Sequence, residues 1–255
     1  MHDSELIEAK PATWRSDVQL RAAQAGTWIS GKGRAMVPTM ADGRPLLPTS
    51  SLSRSLQLRV KRALDVLMAL GGLVVLGPLL MVIALAVKFT SPGPVFYWQD
   101  RLGLNGRTFR LVKFRSMRLE QCDADGLRQV TSDDDRMTPI GRFIRATSID
   151  ELPQLWNILV GDMSVVGPRP MVEGQRAGDR DYREIVPYYD YRLLMRPGLT
   201  GLAQSYGLRG STRDLASAIE RVDVDCVYIQ QFSIGMDIAI ILRTLVREFV
   251  FGTGA

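Results

Sequence analysis

The chain has 255 residues, enough for one good-sized domain plus appendages, with an ordinary apolar fraction of 46%. Its single histidine is His2, at the extreme N-terminus, and Cys122 and Cys226 share no metal-ligand spacing, which argues against imidazole general-base chemistry and His- or Cys-rich metal sites. A net charge of +5 fits anionic partners and leaves any chemistry to carboxylates, Lys, Arg and a hard cation.

Residues 1–53 show no sustained periodicity, and Pro, Ser and Thr cluster between Pro38 and Ser51. They read as a flexible polar arm with one short helix around Ser16 to Ala25. The acidic, polar start is unlike a secretory signal. Residues 54–90 are the next unit. From Ala63 to Val87 the only charge is Asp65, and such a length can span a bilayer as a helix. Arg54, Arg59, Lys61 and Arg62 precede it, and Lys88 and Arg101 follow, so neither end is favoured outside. Pro78 lacks an N–H and clashes with the preceding turn, and Gly77 beside it offers no resistance to bending. Two arrangements fit: a re-entrant helix–break–helix that dips into one leaflet, and a straight span kinked at Pro78. Spacing alone does not decide between them.

In residues 91–255, Val95 to Arg115 reads as a β-hairpin turning at Asn105-Gly106. Six basic residues and no acid lie from Arg101 to Arg118: Arg101, Arg107, Arg110, Lys113, Arg115 and Arg118. A solvated strand face and a phosphate site explain this run equally well. Glu120 to Arg136 reads as an acidic surface loop. Helices are expected at Ile140 to Arg145, from Ser148 or Pro153 to Val160, amphipathically over Tyr182 to Met195 with an interruption near Pro187, and at Met236 to Phe251. Gly161 to Pro170 reads as a compact turn.

Ser148-Ile149-Asp150-Glu151 has the form of a capping box, although Pro153 suits a helix that begins there better. Both readings put Asp150 and Glu151 at a helix start, where anions are attracted. Two carboxylates repel a phosphate unless cations screen them, and Arg142, Arg145, Arg169, Arg196 and the Lys113 strand supply cations. A Mg²⁺ held by Asp150 and Glu151 would bind carboxylate and phosphate oxygens together. An aspartate can also attack phosphorus and hold it covalently. Gly167-Pro168-Arg169-Pro170 and Arg196-Pro197-Gly198-Leu199-Thr200-Gly201 each set an Arg in a rigid turn; plain turn chemistry and bidentate phosphate gripping are the two readings.

Taken in order, these pieces resemble the bacterial sugar transferases, monotopic phosphoglycosyltransferases acting on polyprenyl phosphate. The resemblance is carried by Lys61-Arg62-Ala63-Leu64-Asp65, Ser91-Pro92-Gly93-Pro94, Gln99-Asp100-Arg101-Leu102-Gly103 and Lys113-Phe114-Arg115-Ser116-Met117. It continues through Asp150 to Asn157, Gly161-Asp162-Met163-Ser164, the two Arg–Pro turns, and Asp225 ahead of Tyr228-Ile229, covering about residue 59 to the C-terminus. It implies an α+β, mostly helical, membrane-associated domain with a small β-hairpin and a re-entrant membrane helix broken at Gly77-Pro78. That tips the topology towards a membrane hairpin, with the catalytic domain on the cytoplasmic face of the bacterial inner membrane. The family often has Ser-Pro at that break. The implied reaction moves a hexose-1-phosphate from a UDP-sugar to undecaprenyl phosphate, releases UMP, and begins assembly of an exopolysaccharide or related glycan. Asp150 is implied as nucleophile and Glu151 as its Mg²⁺-binding or proton-accepting helper. Lys113, Arg115, Arg145, Arg169 and Arg196 are implied as phosphate ligands, and Asp225 as an acid that positions cation or uridine. Galactose or glucose is the expected sugar, membrane lipid a partner, and a homodimer an allowed assembly. The competing expectations are a metal-dependent glycosyltransferase using Asp123-Ala124-Asp125 or Asp223-Val224-Asp225, and a membrane-anchored scaffold without turnover. The basic residues are not grouped with aromatics as in a nucleic-acid-binding module.

Overall fold

The computed structural model describes residues 27–31, 35–39, 52–118, 135–208 and 215–251. The expected helix at Ser16 to Ala25, most of the acidic loop and the Asp123-Ala124-Asp125 motif lie outside these residues. Inside the arm expected to be irregular, β1 (Thr27–Gly31) pairs antiparallel with β2 (Ala35–Thr39), in register from Thr27 opposite Thr39 to Gly31 opposite Ala35. Thr27, Trp28, Ile29 and Val37 are β-formers, a local preference masked by the surrounding Pro and Ser.

Helix α1 (Leu52–Thr90) runs for 39 residues and contains Pro78. The expected interruption at Gly77-Pro78 is not a gap in the helix, which continues through it. A proline removes one hydrogen bond of the ladder, and here both halves of α1 are gripped by the rest of the protein. Ala69 is buried with Leu155 and Ile158, while Ile83 and Val87 are buried with Phe114 and Ile144. The opposite face carries Leu67, Val74, Val75, Met81, Val82 and Phe89, all between 61% and 84% exposed. So large an apolar stripe is costly in water and favourable against lipid. Among the described residues, α1 is the helix long and apolar enough to cross a membrane.

Buried polar groups fasten the first half of α1. The Asp65 carboxylate accepts hydrogen bonds from the Ser164 hydroxyl at 2.8 Å and the Val165 N–H at 2.9 Å. Lys61 pairs with Asp237 at 2.6 Å, and Asp237 also accepts from the Tyr228 hydroxyl at 2.8 Å. Arg62 donates to the carbonyls of Ile158 and Leu159 at 2.6 and 3.0 Å, satisfying acceptors that a helix end leaves open.

The expected hairpin is present. β3 (Phe96–Leu102) pairs antiparallel with β4 (Thr108–Phe114), and a 3₁₀ turn at Leu104–Gly106 joins them with Asn105 and Gly106 at positive φ. Helix α2 (Pro139–Ala146) starts at Thr138, whose hydroxyl caps the Gly141 N–H at 3.0 Å. A 3₁₀ turn, Ile149–Glu151, leads into α3 (Gln154–Val160).

The stretch read as one compact turn contains β5 (Ser164–Val166), which pairs in parallel with β8 (Gly198–Thr200). Between them lie the short antiparallel strands β6 (Arg176–Ala177) and β7 (Arg180–Asp181), helix α4 (Tyr182–Ile185) and a 3₁₀ turn, Tyr189–Leu194. The interruption expected near Pro187 in the 182–195 segment is present, with α4 before it and the 3₁₀ turn after it. After α5 (Leu202–Ser205) come α6 (Leu215–Gln231) and α7 (Ile234–Phe251), the last close to its predicted span. Tyr228 and Ile229 of α6, Phe232 just after it and Ile240 of α7 join Met163, Val165 and Val166 in the largest core group. A second group, with Tyr182, Val186, Tyr189, Val222 and Cys226, packs α4 and the 182–194 segment on α6.

Candidate active site

The site forms where β4, the 149–151 turn and the Arg169 turn converge. Ser148, at φ 55°, takes the left-handed conformation that a residue with Cβ rarely adopts. Its side chain makes no cap hydrogen bond, so the capping-box reading fails, while α3 begins beside Pro153 as the alternative reading has it. Glu151 instead receives the Arg169 guanidinium at 2.5 and 3.3 Å, a two-point contact. Helix α3 has only seven residues, and the carboxylates precede it in the 3₁₀ turn. The positive field at this place therefore comes from side chains.

Asp150 is only 6% exposed. Among the described residues it accepts no hydrogen bond. Burial pushes its carboxyl up from 3.8 to about 6, helped by the adjacent Glu151 charge and opposed by Lys113, Arg145 and Arg169. Lys113, opposite Tyr97 in the hairpin with its ammonium 5.2 Å from that ring, is lowered to about 8 by burial and by Arg101 and Arg145. Four cations (Arg101, Lys113, Arg145 and Arg169) thus surround two carboxylates. The formal excess is two positive charges, matching the two negative charges of a pyrophosphate diester.

Arg101 is the member the sequence reading counted in the basic run without assigning it to the site. It donates to Gln99 at 2.5 Å and to the Pro170 carbonyl at 3.3 Å, and its Nε–H is buried without an acceptor. Burial and Arg169 lower its pKa to about 10. The signal was available: alternation along β3 puts Arg101 on the same face as Tyr97, the partner of Lys113.

Of the expected residues, the structure brings Lys113, Arg145, Asp150, Glu151 and Arg169 together. Arg115 is elsewhere: 2% exposed, it donates to the carbonyls of Pro94, Pro92 and Ser91 at 2.7, 2.8 and 2.8 Å, pinning the chain as it leaves α1. Arg196 donates to the Gly161 carbonyl at 2.8 Å, beyond the far end of α3 from Asp150. Asp225 is buried against Arg192 at 2.7 Å. Arg142 is exposed on α2. In the Asp223-Val224-Asp225 motif each carboxylate is taken by a separate partner, Asp223 by the Tyr188 hydroxyl at 2.6 Å and Asp225 by Arg192.

The two Arg–Pro turns have a shared backbone reason. A Cβ on Gly198 would stand 2.1 Å from the Gly167 nitrogen, and one on Gly167 would stand 2.3 Å from the Arg196 carbonyl oxygen. The turns touch backbone to backbone, which only glycine permits, and the Gly167 N–H reaches the Thr200 carbonyl at 2.9 Å. Interlocked in this way, they fix where Arg169 begins.

Among the described residues no group of three or more acidic, His or Cys side chains could hold a metal. Asp150 and Glu151 offer two hard carboxylates, which suits Mg²⁺, an ion that usually takes one or two carboxylates and fills its remaining positions with water and substrate phosphates.

The family model described as bacterial sugar transferase matches residues 56–250. The exopolysaccharide production protein PSS of Rhizobium leguminosarum bv. phaseoli is 49% identical over 199 residues, which cover 78% of this chain and 100% of that protein. A UDP-glucose:undecaprenyl-phosphate glucose-1-phosphate transferase of Caulobacter vibrioides is 46% identical over 72% of this chain and 68% of its own length. A Klebsiella pneumoniae protein of the same name is 40% identical over 82% of this chain but only 44% of its own length. The chain therefore spans the whole of one curated relative and less than half of another.

Proposed function

Because the chain belongs to the bacterial sugar transferase family, we propose that it is an undecaprenyl-phosphate sugar phosphotransferase in exopolysaccharide synthesis that takes glucose-1-phosphate from UDP-glucose. Glucose is chosen over galactose because it is the sugar named for the Caulobacter and Klebsiella relatives. The observation that carries the mechanism is Asp150: a buried carboxylate with no hydrogen bond from the described residues, ringed by cations. A carboxylate held only for stability would be hydrogen-bonded. One kept bare and partly desolvated is a competent nucleophile.

Asp150 attacks the sugar-bearing phosphorus of UDP-glucose. The new bond joins its carboxylate oxygen to that phosphorus, and the bond to the bridging oxygen breaks, releasing UMP. An oxygen of undecaprenyl phosphate then attacks the same phosphorus and frees Asp150, giving undecaprenyl-diphospho-glucose. Lys113, Arg101, Arg145 and Arg169 hold the pyrophosphate oxygens and offset the charge that builds during transfer. Glu151, gripped by Arg169, accepts the acceptor's proton; with Asp150 it would also be the residue to hold a Mg²⁺. When bound, that ion supplies further charge neutralisation at the phosphates.

The membrane reading is a re-entrant α1 bent at Gly77-Pro78, with both chain ends and the site on the cytoplasmic face of the inner membrane. It is supported by basic residues at both ends of α1 and by the contact of both its halves with the rest of the protein. The mechanism is tested by incubating the protein with UDP-glucose labelled in the sugar, without lipid acceptor. A labelled protein adduct forms in the parent and is missing in Asp150→Asn. Label that persists in Asp150→Asn removes Asp150 as nucleophile.

A further inference from the structure

We propose that Arg192, held by Asp225, positions Arg169 for its contact with Glu151, so that Asp225 works through two arginines without touching substrate. The inference rests on the reading of Arg169 as a phosphate ligand.

The geometry is a closed chain of contacts. Arg192 and Asp225 are each 2% exposed and pair at 2.7 Å. The same Arg192 Nη2 donates to the backbone carbonyl of Arg169 at 2.9 Å, and its Nη1 donates to the Tyr189 hydroxyl at 3.3 Å. That hydroxyl in turn meets the Met171 sulfur at 3.3 Å. Along the same strip, the Pro170 carbonyl accepts from Arg101 at 3.3 Å and the Met171 carbonyl accepts from the Leu102 N–H at 2.9 Å. Three consecutive carbonyls, from Arg169 to Met171, are therefore taken, and Pro168 and Pro170 restrict the backbone on either side of Arg169.

A buried ion pair contributes little net stability compared with apolar groups of the same size. What the pair supplies is a planar, fully ionised group whose Nη2 is shared by the Asp225 carboxylate and the Arg169 carbonyl while Nη1 is held by the Tyr189 hydroxyl, where little water reaches. A lysine in this place has a single nitrogen for all three and no rigid plane to aim it. Asp225, as buried as the arginine it holds, has no surface to offer a nucleotide.

The test is a double-mutant cycle on the full chain in detergent or nanodiscs, reading undecaprenyl-diphospho-glucose formation and thermal melting. Arg192→Met combined with Asp225→Leu removes both charges at similar volume, so a melting temperature near the parent's is expected. A displacement of Arg169 by about 1 Å lowers turnover by about 100-fold. The same pair of changes made in an Arg169→Ala background is expected to cost no more than about twofold further, because the target is already gone. Losses that multiply in that background, with folded protein, overturn the inference and leave the site reading intact. An Arg169→Ala variant as active as the parent overturns both. Should the double variant melt far below the parent, Arg192→Lys replaces it in the cycle under the same criteria.

Discussion

Replacing Asp150 by Asn should abolish turnover and at the same time stabilise the fold, in a pH-dependent way. The carboxyl of Asp150 titrates at about 6 in the folded chain against an ordinary 3.8, burial being the largest cause. Three cations pull the other way and do not overcome burial and Glu151. The folded state therefore holds the proton to higher pH than the unfolded chain does. Stability contributed by this group is complete below pH 3.8, falls as the pH rises towards 6, and stays reduced above it. At neutral pH the deficit is about 3 kcal/mol, taking about 1.4 kcal/mol per pH unit. Asparagine has nearly the same shape and no charge, so Asp150→Asn should regain most of that deficit. For a chain of this size the gain corresponds to a melting temperature about 5–10 °C higher. The assay is thermal melting of purified parent and variant at pH 7.5 and again near pH 4. A rise at pH 7.5 that shrinks near pH 4 is expected. A melting temperature unchanged or lowered at pH 7.5 would refute the claim that this carboxylate is held desolvated against its own preference.

The pH dependence of turnover should be bell-shaped, rising as Asp150 ionises near 6 and falling as Lys113 loses its proton near 8; Lys113→Arg should flatten the alkaline limb, which steady-state rates from pH 5 to 9.5 will reveal. Arg101→Ala, which removes a buried Nε–H with no acceptor, should raise KM for UDP-glucose about tenfold or more, as loss of a charged hydrogen bond worth about 1.5–3 kcal/mol requires. Asn157→Ala should lower stability by about 2–4 kcal/mol. Its side chain accepts from the Val112 N–H at 3.0 Å and donates to the Arg110 carbonyl at 2.8 Å, and its removal leaves the buried Val112 N–H without that acceptor. Chemical denaturation of the detergent-solubilised variant measures it.

Local signals made the hairpin, α2, α3 and α7 legible, because each is a short-range decision. Asn105-Gly106 turns a chain flanked by β-formers, and Pro139 after Thr138 starts a helix wherever it occurs. That carboxylates and a lysine would meet was legible for the same reason, since Asp150 and Glu151 are adjacent and Lys113 lies in a basic run. What sequence could not reveal was which arginine reaches the carboxylates. Arg115, Arg169 and Arg196 look alike as basic residues among turn formers, yet one pins the exit from α1, one grips Glu151 and one caps the Gly161 turn. That choice depends on β5 pairing with β8 across more than thirty residues, and no nearby residue encodes it. Asp225 was visible as an acid, but its partner Arg192 lies 33 residues away in the 3₁₀ turn that follows the break at Pro187, and nothing local to either residue encodes that pairing.

The seating of α1 bears on how this enzyme can be produced and handled. Phe114 follows Lys113 directly and shares its packing with Ile83 and Val87 of the long apolar helix. Cutting the chain after residue 90 to obtain a water-soluble fragment would strip the support from beneath the lysine and leave Phe114 and Ile144 without cover. The seating of α1 and the placing of the Lys113 strand are accordingly coupled, and detergents that loosen the helix should be expected to silence the enzyme before they unfold it.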